Sequence, residues 1–160
     1  HLTVCTLHIS NREELEIARN ALESIGLDDS FSSNNLPIKF KFEGCGDFYD
    51  KVLYVKCECD QFDKLNNIRN LILEKLKNSG ISTAGNYYEF VPHLTLLKIS
   101  SSNNKNNRNS NISSLINSDL MNRLKSTYFG EQSLNEIELC KMVNIFSSKT
   151  YPVEFTLKFN

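Results

Sequence analysis

The chain has 160 residues, the size of one domain, and 40% of them are hydrophobic, enough to bury a core. Eighteen Lys and Arg face nineteen Asp and Glu, a formal net charge of −1. That balance argues against a chain that grips long stretches of nucleic acid by phosphate contacts, and for a small or short ligand in a local pocket or an unrelated task.

No apolar run is long enough to span a bilayer, so no membrane partner is expected. The five cysteines (Cys5, Cys45, Cys57, Cys59 and Cys140) include no C-x-x-C pair, and no second Cys/His pair has ligand spacing. Reduced thiols in a cytosolic or nuclear protein are the expectation, with no metal.

The apolar and β-branched run His1–Ile9 predicts a buried strand. Ser10 and Asn11 offer caps, and Leu15, Ala18, Leu22 and Ile25 recur at helical spacing, so a helix is expected over 12–25, ended by Gly26. Residues 28–36 read as a polar loop. Ile38, Phe40 and Phe42 alternate with charged residues as on a half-exposed strand, Gly44–Asp47 reads as a turn, and Val52–Cys59 returns as the partner strand of a hairpin. Asp60 is the expected cap of a helix whose stripe is Phe62, Leu65, Ile68, Ile72 and Leu76, with Gly80 as its stop. A loop over 81–90 leads to a strand over 93–100. Residues 101–111 are almost wholly polar and read as a mobile insertion. A short helix with Leu120 and Leu124 inward and two strands, near 134–144 and 151–159, complete a single α+β domain over 1–160.

The sequence His-Leu-Thr occurs twice, at 1–3 and 93–95, each time opening an apolar strand. Residues i and i+2 of a strand share a face, so each copy presents an imidazole beside a hydroxyl, with Leu turned the other way. The chain has three histidines, and two of them carrying Thr at +2 is about a one-in-a-hundred coincidence. Cleaving an RNA-type phosphodiester requires one proton to leave the attacking oxygen and another to reach the leaving oxygen. Imidazole, titrating near pH 6.5, does both. Each Thr hydroxyl can hold a non-bridging oxygen. His1 and His93 are therefore the expected acid–base pair, with Thr3 and Thr95 beside them. His8, on the other strand face and without Thr at +2, reads as structural.

Paired H-x-T motifs far apart in sequence resemble the 2H phosphoesterase superfamily. The blocks HLTVCTLHIS, LPIKFKFEGCGDF, FVPHLTLLKIS and FGEQSLNEIELCKM are similar in particular to the 2′,5′-phosphodiesterase-like nucleotide-binding domain of an A-kinase anchoring protein. The resemblance implies an α+β, two-lobed RNA ligase/cyclic phosphodiesterase-like fold, with antiparallel or mixed sheets around a central groove and helices outside. It implies cleavage, without cofactor, of 2′,5′-linked oligoadenylate, 2′,3′-cyclic phosphate or RNA-end phosphodiesters, with His1, Thr3, His93 and Thr95 as the two motifs. The alternative is a non-catalytic module binding AMP or CMP inside a scaffold protein. A protein kinase A regulatory subunit is an implied partner only where an anchoring helix accompanies the domain. A monomer is expected. Family members usually carry a further strand upstream of the first motif, so the domain is expected to lack that strand or to complete it differently.

Nucleotide bases stack on aromatic rings. Phe90, three residues before the second motif, Tyr88 in the adjoining loop with Tyr87, and Tyr151 at the start of the last strand are the expected base-binding residues, against the plainer reading that they pack in or near the core. Lys98, on the opposite strand face from His93, reads as a surface residue.

Overall fold

The computed structural model describes residues 1–26, 38–84, 89–99, 116–143 and 150–159. These contain β1 (Thr6–His8), α1 (Arg12–Gly26), β2 (Lys39–Phe48), β3 (Val52–Glu58), α2 (Phe62–Asn78), β4 (Ser82–Ala84), β5 (His93–Lys98), α3 (Ser118–Leu124), β6 (Tyr128–Ser133), β7 (Glu136–Cys140) and β8 (Val153–Lys158). The class is α+β, as expected. The chain forms two compact units, each assembled from three separate segments. The polar loop over 28–36 and the insertion over 101–111 lie outside the described residues.

The first unit comprises His1–Val4, Phe40–Asp60 and Val91–Gln132. Its four-stranded sheet has the order β5-β3-β2-β6. Phe40 and Phe42 are buried on β2 at even positions, Cys45 at an odd one, and the β2–β3 register shifts between Phe42 and Cys45. A bulge there adds one residue and changes which parity faces inward. Across from them, Leu53 and Val55 of β3 are buried on the same face. Each such apolar side chain contributes roughly 1.5–3 kcal/mol by leaving water.

Gly44–Asp47 is therefore not the turn expected from its composition: it lies inside β2, at and after the bulge. The chain reverses at Tyr49 and Asp50 instead, with φ of 56° and 55° and a Lys51 N–H bond to the Phe48 carbonyl of 3.0 Å. Two successive positive φ values make a two-residue hairpin turn whose twist matches the strands it joins. Its usual Asn-Gly signature is absent here. The Asp50 N–H donates to Asp47 Oδ1 at 3.0 Å, adding a local support.

The second unit comprises Cys5–Lys39, Gln61–Phe90 and Ser133–Asn160. Asn11 caps α1 through its Oδ1, which accepts the Glu14 N–H at 2.9 Å, while the Glu14 carboxylate reaches back to the Ser10 N–H at 2.6 Å. Ala18, Ala21, Leu22 and Ile25 form its buried stripe, and α1 packs against α2 and β8. On α2 the stripe is Leu65, Ile68, Ile72 and Leu76, whereas Phe62 at its start is 37% exposed. The residue before α2 is Gln61, and its side chain makes no capping bond, so Asp60 is not the cap. At the other end Gly80 has φ +81°, its N–H reaches the Lys77 carbonyl, and the Ile81 N–H reaches that of Leu76. This is a Schellman closure, in which only glycine takes the left-handed position without cost, and the buried Ile81 seals it.

The strand expected over 1–9 is split. Leu2 forms an isolated antiparallel bridge with Leu94, while β1 pairs with β4 in a separate two-stranded sheet. β4 falls in a stretch expected to be loop, and β6 was not anticipated. The two strands expected near the end of the chain are β7 and β8, which pair antiparallel. On α3, Leu120 and Leu124 are only half-buried. Among the described residues no helix is long and apolar enough to cross a membrane.

Candidate active site

The bridge between Leu2 and Leu94 is antiparallel, and it fixes the register of the two His-Leu-Thr tripeptides. His1 lies across from Thr95, and Thr3 across from His93. Facing residues of an antiparallel pair point to the same side, and neighbours along a strand point to opposite sides. The two leucines therefore share one face, while both imidazoles and both hydroxyls share the other. Directly opposed Cβ atoms stand roughly 4.5–5.5 Å apart and diagonal ones roughly 7–8 Å. The two histidines occupy a diagonal, a separation that two upright imidazoles can span with a phosphate between them. His1, Thr3 and Thr95 are exposed and His93 is half-buried, so the face is open to a ligand.

Residues ninety-two positions apart meet here because β5 pairs with β3 on one edge and leaves the other edge to the Leu2 segment. Pro92, which cannot donate a ladder bond, is buried just before the strand begins.

His93 is held on three sides. Its Nδ1 lies 2.7 Å from the Val91 carbonyl oxygen. A carbonyl only accepts, so Nδ1 carries the proton and donates, which leaves the lone pair on Nε2. The Phe48 ring meets the imidazole edge-on, with centroids 5.1 Å apart and planes at 82°, and the Tyr54 ring lies 5.2 Å away at 59°. Phe48 and Tyr54 stack on each other at 4.4 Å. Burial, with a smaller contribution from Asp47, raises the Tyr54 hydroxyl above its usual pKa, so the ring stays neutral.

The sheet register extends the face. Tyr54 lies across from Thr95, and Lys56 across from His93. On the next strand Gly46 lies across from Tyr54. A Cβ at Gly46 would stand 2.5 Å from the Tyr54 ring carbon Cζ and from its hydroxyl oxygen. The ring thus lies flat over β2 where the chain has no side chain. At Gly44, φ is +71° and a Cβ would meet the Lys125 carbonyl oxygen at 2.6 Å, so this close crossing also requires glycine.

Phe48, Tyr54 and Lys56 were missed from sequence. For Tyr54 and Lys56 the signal was present in the alternation of VLYVKCE, which turns them away from the buried Leu53 and Val55, but which distant strand they adjoin is not readable from that pattern.

The remaining residues singled out in the sequence lie in the second unit or outside the described residues. Phe90 belongs to the second unit, where its ring stacks near that of Phe62 at 6.2 Å and the Arg69 guanidinium stands 5.0 Å from its centroid. Tyr151 precedes β8 in the same unit and is half-buried. Tyr87 and Tyr88 lie outside the described residues. His8 is exposed on β1, with Nε2 3.2 Å from Ser10 Oγ. Among the described residues, no three His, Cys, Asp or Glu side chains gather as a metal-ligand group.

Comparison with known proteins adds to this geometry. The model of the family described as the AKAP7 2′5′ RNA ligase-like domain matches residues 1–159. The chain is 30% identical to A-kinase anchor protein 7 isoform gamma of Homo sapiens over 156 residues, which is 94% of this chain and 42% of that protein. It is 26% identical to an RNA 2′,3′-cyclic phosphodiesterase of Aquifex aeolicus (strain VF5) over 144 residues, 87% of this chain and 66% of that protein. The chain thus spans less than two thirds of the length of either relative. With the match running over nearly its whole length, the chain belongs to the AKAP7 2′5′ RNA ligase-like domain family, a branch of the 2H phosphoesterases.

Proposed function

We propose that this domain is a metal-independent phosphodiesterase that cleaves 2′,5′-linked oligoadenylate, 2′,3′-cyclic phosphate or RNA-end phosphodiesters, with His1 and His93 as acid and base. The observation that carries this reading is the Leu2–Leu94 bridge, whose register gathers two imidazoles and two hydroxyls on one open face. The similarity to an RNA 2′,3′-cyclic phosphodiesterase supports the class of bond.

The phosphate sits over the gap between the two tripeptides. One imidazole, neutral, takes the proton of the attacking oxygen, from a ribose hydroxyl or from water, as the new P–O bond forms. The other, protonated, gives its proton to the leaving oxygen as the old bond breaks. One proton has passed to the first ring and one has left the second, and the total is unchanged. Thr3 and Thr95 donate hydrogen bonds to the non-bridging oxygens and hold the phosphorus in line. His93 acts through Nε2, since Nδ1 is committed to the Val91 carbonyl.

The test is incubation of the domain with 2′,5′-oligoadenylate in EDTA. Cleavage is expected, and His93→Ala is expected to abolish it, while cleavage that survives His93→Ala excludes the mechanism. The similarity to an anchor protein favours a second reading, a module that binds AMP or CMP without turnover. Calorimetry would then show mononucleotide binding with no product from any of the three substrate classes.

A further inference from the structure

We propose that Lys56 binds a second phosphate of the substrate, beside the scissile one, and so makes the site selective for nucleotides that carry two phosphate groups. The inference rests on the proposed phosphate position between His1 and His93 and adds a residue and a substrate feature to it.

Three observations carry it. Lys56 lies directly across from His93 in the β3–β5 ladder, on the face opposite the buried Leu53 and Val55, and it is exposed. Its charge has no carboxylate partner among the described residues. Lys41 of the same sheet, by contrast, is paired with Glu43 and Glu58. In a chain of net charge −1, an uncompensated ammonium on the His93 side of the face attracts anions to that side. Finally, its stem runs toward β2, where the Lys125 backbone crosses Gly44: a Cβ built at Gly44 would lie 3.9 Å from Lys56 Cδ.

The direction of the stem decides which anion it meets. Neighbouring strands are roughly 4.8 Å apart. The scissile phosphate sits over the gap between the Leu2 segment and β5, whereas the Lys56 side chain leaves β3 on the far side of β5 and leans away from that gap. Its ammonium, a compact point charge on a four-carbon stem, therefore stands beside the next group along the substrate rather than between the imidazoles. A phosphate oxygen there would form a charge-assisted bond.

The test compares binding of AMP and of adenosine 3′,5′-bisphosphate by calorimetry in EDTA. The native domain is expected to bind the bisphosphate about tenfold more tightly than AMP, the effect of one added charge-assisted contact. Lys56→Met keeps the stem, removes the charge and should erase that preference while leaving AMP affinity within about twofold. Lys56→Arg should retain the preference. Equal native affinities, equal weakening of both ligands by Lys56→Met, or no binding of the bisphosphate would each overturn the assignment. Because binding is read without turnover, failure to cleave any substrate would refute the catalytic reading alone.

Discussion

Replacing Gly46 with Ala tests how His93 is held. The new methyl would begin 2.5 Å from Cζ and the hydroxyl oxygen of Tyr54 and 2.9 Å from Cε2. No carbon tolerates that approach, so the tyrosine ring must lift. It is stacked at 4.4 Å on Phe48, and both rings contact His93. Moving it disturbs aromatic contacts worth about 0.5–1.5 kcal/mol each, within the ~1–3 kcal/mol typical of overpacking. The larger effect falls on rate, because an ångström of misplacement at a reacting group can cost about a hundredfold. Gly46→Ala should thus lower kcat on 2′,5′-oligoadenylate by about ten- to a hundredfold, with KM changed by no more than a few-fold and a modest loss in urea stability. Combining it with Tyr54→Val, which removes the clash, should restore stability but not kcat, since the imidazole still lacks its neighbour. A Gly46→Ala enzyme with native kcat would show that the aromatic pair does not position His93.

Four further outcomes follow from the same structure. In its neutral form His93 should carry its proton on Nδ1, the less usual tautomer in water, because the Val91 carbonyl accepts from it; long-range ¹H–¹⁵N NMR correlations that place the proton on Nε2 would contradict this. Burial, with Cys59 beside it, pushes the Cys57 thiol up to about 12. Iodoacetamide at pH 8 should therefore alkylate Cys57 far more slowly than a free thiol, and rapid labelling would refute the assignment. The same shift disfavours the thiolate in the folded state, so the stability it contributes is complete below about pH 8.5, where an unfolded thiol titrates, and is lost as pH rises toward 12. Cys57→Ala should flatten that part of the stability curve, as read by urea titration. Ile68 is fully buried on α2, so Ile68→Ala should cost about 2–5 kcal/mol in urea unfolding, and a loss under 1 kcal/mol would show that the stripe does not hold the second unit together.

What could be read from the sequence follows what is local. The stripes of α1 and α2 emerged from spacing alone, since Leu22, Ile25, Leu65, Ile68, Ile72 and Leu76 are all buried. The repeated tripeptide was visible as a repeat, but the Leu2–Leu94 bridge that brings its copies together joins positions far apart in the chain, and no local pattern encodes it. Gly44 and Gly46 misled because glycine more often marks a turn than a strand onto which a neighbouring side chain or backbone closes. The true reversal, Tyr49-Asp50, carries neither of the residues that usually tolerate positive φ best in pairs. The run His1–Ile9 looked continuous because periodicity reports burial and not which sheet each half joins. The rings that touch His93 come from β2 and β3, and no pattern within either strand names the distant strand it adjoins.

Two identical tripeptides paired head to tail about one bridge are interchanged by a half-turn about a line through the sheet between Leu2 and Leu94. An anion on that line meets the same pair of groups from either side, so the motifs by themselves do not distinguish the end of the substrate that departs from the end that attacks. Four features that break the equivalence adjoin His93: the Val91 carbonyl, Phe48, Tyr54 and Lys56. On the proposed mechanism, the strands that flank His93 are thus what can give the reaction a direction.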